Sequence, residues 1–214
     1  MSVVGDTSLF NETTFKKGAK RGPEHSVVKI IEEDILFGFH RLAINGLNEK
    51  SNQPLTIDNV VLICNGEIYN YKRLYSIMNC VPETDSDCEV IIHMYKKYGI
   101  KQTLLMLDGV FAFVLYDKSN QQVYVARDPY GVRPLYMVSI MSHDSNKFQY
   151  SYVFSSEIKM IDQDIPGSRV TCFSPGHYLT LTKKVVWEYD SVIQYVHDPC
   201  IHYFIDKDIQ ITML

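Results

Sequence analysis

Long hydrophobic runs are missing from this 214-residue sequence, and their absence excludes several classes of protein. No apolar run reaches the roughly 20 residues that a transmembrane helix needs. The first residues also lack the basic-then-apolar pattern of a secretory signal. The net charge is −4, and the one basic cluster comprises Lys16, Lys17, Lys20 and Arg21, so no polyanion-binding surface is indicated. We therefore expect a cytoplasmic protein that binds neither membranes nor nucleic acid.

Paired cysteines are also missing. The five cysteines are an odd number and include no Cys-x-x-Cys pair, which argues against a disulfide framework. We interpret all five as reduced, buried and structural: Cys64, Cys80, Cys88, Cys172 and Cys200. Cys200 and His202 are spaced like two metal ligands, but no second pair accompanies them, so the sequence predicts no metal site.

Apolar and aromatic residues are abundant. They make up 46% and 12% of the chain, with 15 Tyr and 10 Phe, which indicates a folded protein with a substantial core. The length suits one large domain or two small ones. Strand-like and helix-like segments occur in separate runs, which predicts a layered α+β fold with mainly antiparallel sheets.

The periodicity of the apolar residues predicts the individual elements. Helices are expected at residues 7–20, 71–79, 86–99 and 101–107, with Ser86 and Glu89 as a capping box at the start of the third. Strands are expected at residues 27–31, 35–41, 60–64, 110–116, 123–126, 135–141, 149–154, 170–173 and 178–181. Residues 197–199 resemble a loop, and residues 209–214 resemble the start of a further element.

The run Asn65-Gly66-Glu67-Ile68-Tyr69-Asn70 follows the apolar strand and is the most informative motif. The Asn65 side chain and the Gly66 backbone N–H can converge on one point, which is how an oxyanion hole is built. A plain turn is the alternative, since Asn-Gly is a common hairpin dipeptide. The remaining polar clusters favour the oxyanion hole.

Those clusters lie beside predicted strand ends or helix starts. An arginine, at Arg21 or Arg41, can grip a carboxylate through two parallel hydrogen bonds. Asp87 can accept from an ammonium group. With the donors at Asn65 and Gly66, these groups describe a site for a free amino acid whose side-chain carbonyl is attacked. Taken singly, Asp87 is equally explained as a helix cap, and Arg41 as the partner of a surface Glu.

Several longer motifs occur in order along the chain. They are Arg21-Gly-Pro-Glu, His40-Arg-Leu-Ala-Ile, Asn65-Gly-Glu-Ile-Tyr-Asn, Ser86-Asp-Cys-Glu-Val-Ile, Leu107-Asp-Gly-Val-Phe-Ala-Phe-Val-Leu-Tyr-Asp, Ala126-Arg-Asp-Pro-Tyr-Gly-Val-Arg-Pro-Leu-Tyr, Ser155-Ser-Glu-Ile-Lys and Pro175-Gly-His-Tyr. The sequence closely resembles the glutaminase domain of glutamine-hydrolysing asparagine synthetase, a class II glutamine amidotransferase. The resemblance covers residues 2–190. We expect one domain at residues 1–190, followed by an incomplete tail at residues 191–214.

The resemblance implies the N-terminal-nucleophile hydrolase fold, a four-layer αββα sandwich. It implies hydrolysis of L-glutamine to glutamate and ammonia, in which an N-terminal Cys attacks the amide, its own α-amine acts as the base, and a γ-glutamyl thioester forms. The resemblance also implies a role for each site residue. Arg41 binds the substrate α-carboxylate, Glu67 and Asp87 contact the α-amino group, and Asn65 and Gly66 form the oxyanion hole. The pocket wall comprises Leu42, Ala43, Ile44 and Asn45, whereas Arg21 supports the site and residues 127–136 are structural.

No cofactor is expected in this domain. In the family, ATP and Mg belong to a synthetase domain that carries a Ser-Gly-Gly-Leu-Asp-Ser loop, and this string is not among the 214 residues. The expected partners are therefore L-glutamine and a separate synthetase domain or chain.

The start of the sequence departs from the family pattern Met-Cys-Gly-Ile. Either Ser2 replaces the Cys, or the residues from Ser2 to Gly5 match the later part of the first strand. We favour the second alignment, because it keeps the family's spacing between Gly5 and Arg21 and leaves a strand of ordinary length. Three hypotheses follow. The chain is a glutaminase domain of a split or truncated synthetase, and this domain is inactive alone. Alternatively, it is an inactive module that binds glutamine or a partner protein, or a hydrolase that uses Ser2 as its nucleophile.

Overall fold

Twelve strands form two antiparallel sheets in the computed structural model, which describes residues 1–144, 147–162, 164–165 and 168–195. The strands are β1 (Ser2–Val4), β2 (His25–Glu32), β3 (Ile35–Arg41), β4 (Leu55–Ile57), β5 (Val60–Ile68), β6 (Gly109–Asp117), β7 (Gln122–Arg127), β8 (Tyr136–Asp144), β9 (Lys147–Ser155), β10 (Thr171–Cys172), β11 (His177–Lys183) and β12 (Trp187–Gln194). The first sheet has the order β10-β8-β9-β1-β3-β2, and the second β12-β11-β7-β6-β5-β4.

Three buried clusters separate four layers. One lies between the two sheets and includes Phe37, Val61 and Phe154. Another packs the second sheet against the helices α2 (Tyr71–Met78) and α3 (Val90–Met106), and the last packs the short helix α1 (Glu12–Lys16) on the first sheet. The predicted α+β sandwich with two antiparallel sheets is confirmed.

The apolar run that precedes Asn65 follows from this layering. Leu62 and Cys64 face the helices, whereas Val61 and Ile63 face the first sheet. Successive side chains of a strand point to opposite faces, so a strand covered on both faces is apolar at every position. The continuous run therefore places β5 in the middle of the protein, where its end opens between the two sheets.

The helix predictions are partly correct. Residues 71–79 form α2 as predicted, and α3 breaks at Gly99, whose φ of 74° and ψ of 169° are not helical. The single helix predicted at residues 7–20 is wrong. Two 3₁₀ turns, Thr7–Leu9 and Ala19–Arg21, flank the five-residue α1, because the Asn11 side chain accepts from Thr13 N and Thr14 N and starts a new helix there.

The capping box is also wrong. Ser86 makes no side-chain cap, and a 3₁₀ turn, Asp87–Glu89, precedes α3. The Glu89 carboxylate instead accepts from the backbone N–H groups of Glu83 and Thr84, at 2.7 and 2.6 Å. The loop before Ser86 folds back over the helix start and supplies these donors.

The strand predictions hold for every segment named above, whereas β4 and β12 were not predicted. Among the described residues, no helix is long and apolar enough to cross a membrane. The interpretation of all cysteines as buried is wrong for Cys172, which is exposed, and for Cys80, which is partly exposed. Cys200, His202 and residues 197–199 and 209–214 lie outside the described residues, and the domain boundary at residue 190 stays a prediction.

Candidate functional site

A cavity opens between the two sheets at the ends of β3, β5 and β9. Most of the predicted site residues line it, although they come from four separate parts of the chain: Arg21, Arg41, Leu42, Ile44, Asn45, Asn65, Gly66, Glu67 and Asp87. Ala43 is the exception and is not among the lining residues. The structure thus brings together residues that the sequence analysis combined from their chemistry and from the family resemblance. Their roles toward a substrate stay proposals.

The Asn65-Gly66 dipeptide lies inside β5 and does not form a turn, so the turn alternative is wrong. Asn65 pairs with Ala112 and Gly66 with Phe111 of β6. A Cβ atom on residue 66 would meet the Val110 carbonyl oxygen at 2.3 Å and the Phe111 Cα at 2.7 Å. Glycine is therefore required here by the close approach of β6.

The backbone N–H of Gly66 points away from β6. In an antiparallel strand the N–H and C=O of one residue point to the same side, and the side alternates with each residue. Cys64 and Ile68 both direct their N–H groups to the edge opposite β6, where Gln53 and Asp87 accept them. Gly66 lies midway between them, so its N–H points to this same edge, as an oxyanion donor requires.

Gln53 holds this part of β5 in place and was missed by the sequence reasoning. Its side-chain carbonyl accepts from Cys64 N at 2.6 Å, and its amide donates to Cys64 O at 3.0 Å. Gln53 is buried and also lines the cavity. The Gln53 side chain thus makes the two hydrogen bonds that the backbone of a longer β4 would make with Cys64. These bonds hold the backbone of β5 immediately before Asn65.

Asp87 presents a buried carboxylate to the cavity. It accepts from Ile68 N at 2.7 Å and from the Asn45 side-chain amide at 3.4 Å. Both bonds go to residues outside α3, so the carboxylate does not cap that helix. It instead ties the end of β5 to the loop after β3. Glu67 lines the same cavity and supplies a second carboxylate.

Arg41 organises the loop that follows β3. Its guanidinium donates to the carbonyl oxygens of Asn48 and Asn45, at 3.2 and 3.4 Å, to that of Gly46, and to the Asn52 side chain at 2.5 Å. These partners are all in the loop, so the surface Glu considered for Arg41 is not its partner here. To grip a substrate carboxylate, the guanidinium must exchange some of these bonds.

Two further motifs stabilise the surroundings of the cavity. Arg21 pairs with Glu157 of the Ser155-Ser-Glu motif at 2.8 Å. Burial raises the pKa of the Glu157 carboxyl, but hydrogen bonds from Lys159 and Arg21 outweigh burial and leave this pKa below its ordinary value. Arg127 donates to the carbonyl oxygens of Gly131, Arg133 and Phe173, which agrees with a structural role for residues 127–136.

The described residues include no group of three or more His, Cys, Asp and Glu side chains arranged to hold a metal ion. The groups at the cavity are instead suited to an amino acid. The cavity lining includes arginine side chains, side-chain amides, carboxylates and the backbone of Gly66.

Comparison with known proteins agrees with this geometry. A sequence profile for the glutamine amidotransferase domain matches residues 5–171. The chain is 37% identical over 189 residues to the glutamine-hydrolysing asparagine synthetase of Bos taurus, which covers 86% of this chain and 33% of the relative. It is 38% identical over 177 residues to the glutamine-hydrolysing asparagine synthetase of Homo sapiens, and this match covers 78% of this chain and 30% of the relative. The chain thus spans about a third of the length of the curated relatives it matches.

The solved structures show the same fold at lower identity. Glutamine phosphoribosylpyrophosphate amidotransferase from B. subtilis, complexed with ADP and GMP, superposes with a TM-score of 0.69 and 22% identity, covering 92% of this chain and 49% of that chain. The profile match extends over most of the 214 residues, and the sheets, the cavity and the asparagine synthetase relatives all agree with it. This chain belongs to the glutamine amidotransferase domain family.

Proposed function

We propose that the cavity between the sheets binds L-glutamine and that the domain catalyses its hydrolysis to glutamate and ammonia. Asp87 and Glu67 receive the α-amino group, Arg41 receives the α-carboxylate, and Leu42, Ala43, Ile44 and Asn45 shape the wall. Gly66 N–H and the Asn65 side chain face the γ-carbonyl oxygen. The observation that carries the proposal is the buried Asp87 carboxylate beside the outward-facing N–H of Gly66.

The chemistry requires a nucleophile at the γ-carbonyl carbon. When a thiolate attacks, the carbonyl oxygen takes a negative charge, which the two donors stabilise. The intermediate then releases ammonia and leaves a thioester, which water hydrolyses. The five cysteines of the 214 residues all lie inside the sequence and carry no free α-amine. A polypeptide of these 214 residues is therefore expected to bind glutamine but to hydrolyse it negligibly.

Ser2 supports a second candidate function. Its Oγ is fully buried, lines the same cavity and has no hydrogen-bond partner. If Met1 were removed, the Ser2 hydroxyl and α-amine would form the nucleophile and base of a hydrolase. We rank this function below the first, because a hydroxyl is a weaker nucleophile than a thiol. A module that only binds glutamine or a partner protein is the third possibility.

We further propose that the ammonia serves asparagine formation in the cytoplasm. The supporting observation is the similarity to proteins named glutamine-hydrolysing asparagine synthetase, which are about three times as long as the matched region. Ligation would then use ATP and Mg on a synthetase domain or chain, and this domain itself would need no cofactor.

Calorimetric titration with L-glutamine tests the binding site. We expect saturable binding of L-glutamine and none of D-glutamine. Asp87→Asn keeps an acceptor for Ile68 N but loses the charge, so we expect the Kd to rise at least tenfold. Asp108→Asn, which changes an exposed carboxylate outside the cavity, is the matched control. Absence of L-glutamine binding to the folded protein, or an unchanged Kd in Asp87→Asn, would remove the proposed site.

A further inference from the structure

A second polar cluster lies outside the glutamine cavity and comprises Cys80, His93 and Glu89. Cys80 Sγ is 3.4 Å from His93 Nδ1, and His93 Nε2 is 2.9 Å from Glu89 Oε1. Cys80 follows α2, Glu89 ends the turn before α3, and His93 lies in the first turns of α3. None of the three lines the glutamine cavity. The order thiol, imidazole, carboxylate is that of a nucleophile, its base and the group that orients the base.

Glu89 fixes the imidazole in one tautomer. Its carboxylate is fully buried and accepts from the backbone N–H groups of Glu83 and Thr84 as well as from His93. Burial raises the pKa of Glu89, but these hydrogen bonds outweigh burial and leave this pKa below its ordinary value, so Glu89 is ionised at neutral pH. An ionised carboxylate only accepts, and the neutral imidazole therefore donates from Nε2. The lone pair of Nδ1 then faces the Cys80 thiol.

Tyr75 adds a free donor at the cluster. Its ring packs edge-on against His93, with a centroid distance of 5.7 Å. Its hydroxyl is buried and has no hydrogen-bond partner. Burial raises the pKa of this hydroxyl most, and the nearby Glu89 carboxylate and Cys80 raise it further. The hydroxyl therefore stays protonated. Tyr75 thus places a neutral O–H donor next to His93, in the same cluster.

The surroundings of Cys80 restrict the reagent that can reach it. Cys80 is partly exposed, whereas Cys64 and Cys88 are buried. Because access is partial, a small reagent is favoured. Exposed Glu83 and Asp85 lie on the loop that follows Cys80, and their charge disfavours anionic reagents such as glutathione disulfide. A peroxide is both small and uncharged.

We propose that Cys80 is a modification site at which a peroxide oxidises the thiol to a sulfenic acid. The thiol proton passes to His93 Nδ1, and the Cys80 sulfur attacks one peroxide oxygen. The S–O bond forms as the O–O bond breaks, and the leaving hydroxide takes the proton from His93 to become water. Sulfur loses two electrons and the peroxide gains them. This reaction does not depend on glutamine binding.

Cys172 provides a comparison within the same protein. It is more exposed than Cys80, and its Sγ lies 3.3 Å from Arg127 Nη1. It thus has a cationic neighbour. The Arg127 guanidinium stays protonated and cannot act as a base. If exposure or a positive charge alone decided the rate, Cys172 would react at least as fast as Cys80.

The test treats the 214-residue protein with hydrogen peroxide at pH 7.4 in the presence of dimedone, which traps sulfenic acids. Peptide mass spectrometry then gives the trapping rate at each cysteine. We expect Cys80 to be trapped at least fivefold faster than Cys172. His93→Gln should lower the rate at Cys80 at least tenfold and leave that at Cys172 unchanged. Cys80→Ser should remove the fastest-trapped site.

Two results would overturn the proposal. One is trapping at Cys172 that equals or exceeds that at Cys80 in the unmodified protein, a comparison that requires no variant to fold. The other is an unchanged Cys80 rate in folded His93→Gln. A parallel arm replaces peroxide with glutathione disulfide, and faster modification of Cys80 in that arm would contradict the assignment to peroxides.

Discussion

The side chain of Gln53 pairs with both backbone groups of Cys64, one residue before the proposed oxyanion hole. It accepts from the N–H at 2.6 Å and donates to the C=O at 3.0 Å. Buried backbone groups without hydrogen-bond partners are rare. Because β4 begins only at Leu55, it has no residue opposite Cys64, and the Gln53 side chain supplies the partners for the Cys64 N–H and C=O instead. The position of Asn65 and Gly66 thus depends on a residue that does not itself contact the proposed γ-carbonyl.

Replacing Gln53 by methionine keeps the volume and removes both hydrogen bonds. Each of the two buried backbone groups left unpaired costs about 1–3 kcal/mol, so we expect the free energy of unfolding to fall by about 2–6 kcal/mol. Urea denaturation measures the change. Gln122→Met is the control, because Gln122 bonds only the side chains of Thr182 and Tyr124 at a part-exposed site and should cost less. Equal losses in the two variants would contradict the account.

Alanine at position 66 tests whether glycine is required by the approach of β6. The added Cβ would lie 2.3 Å from the Val110 carbonyl oxygen, so the two strands must move apart. We expect a loss of about 1–3 kcal/mol in the free energy of unfolding, the usual cost of overpacking. Gly99→Ala is the matched control, since it has open space but a φ of 74°. Backbone strain alone should cost about 1–3 kcal/mol there, because a φ of 74° with a ψ of 169° is a conformation that residues other than glycine rarely adopt. A loss below about 1 kcal/mol at position 66 would be the contrary result.

Glu89 should make stability depend on pH below about 4.5. Its pKa in the folded protein is lowered from 4.5, so its stabilising contribution is complete above that pH and disappears as pH falls through the folded value. We expect Glu89→Gln to lower the free energy of unfolding at pH 7 by about 1–3 kcal/mol. The gap between the two proteins should shrink between pH 5 and pH 3 in urea titrations. Glu12→Gln is the control: Lys16 also lowers the pKa of Glu12, but solvent screens this exposed ion pair, so the gap at pH 7 should be much smaller than for Glu89→Gln. A gap that stays constant down to pH 3 would show that Glu89 is not the titrating group.

The sequence predicted the layers of the fold well, because strand and helix periodicities are local. The run that precedes Asn65 is apolar at every position, which suits a strand covered on both faces, and β5 is such a strand. The break at Gly99 was also predicted, since glycine at the end of an apolar period is a local signal. The chemistry of Arg41, Asn65 and Asp87 suggested one amino-acid site, but no spacing rule joins residues so far apart, and the family resemblance supplied the stronger argument for one cavity.

The errors arose where distant residues decide the local structure. Asn65-Gly66 resembles a turn, but the pairing with Ala112 and Phe111 keeps it in a strand. Glu89 fits a capping box, but the returning loop offers the N–H groups of Glu83 and Thr84 in place of that of Ser86. Gln53 carries no local signal at all, because its role appears only when β4 and β5 pair.

The register of β1 allows the preferred alignment to be tested directly. Ser2 pairs with Phe37 of β3 and with Phe154 of β9. β3 continues past the residue opposite Met1 as far as Arg41, whereas β9 ends at Ser155, level with Met1. Adding Met-Cys-Gly-Ile before Met1, with Met1 as the spacer, places the new Cys opposite Arg41 after removal of the added Met. The added residues can pair with the backbone of His40 on β3. Each new hydrogen bond is worth about 1 kcal/mol, so we also expect the melting temperature to rise by a few degrees.

Ser2→Cys is the matched variant. It places the new thiol at residue 2, the nucleophile position in the alignment in which Ser2 replaces the family's Cys. Met removal would expose its α-amine, but the thiol would lie about four residues further along the strand, at roughly 3.3 Å each. It would therefore be too far from the place that the preferred alignment gives to the nucleophile. We expect no gain in either activity or melting temperature from this change.

Ammonia release from L-glutamine, measured for the extended chain, for Ser2→Cys and for the unmodified 214 residues, tests the central claim most directly. The account predicts turnover of about 1 per second or more in the extended chain, a rate typical of enzymes, and negligible release in the other two. Activity in Ser2→Cys together with none in the extended chain would show that position 2 holds the nucleophile and that the proposed arrangement of the site is wrong.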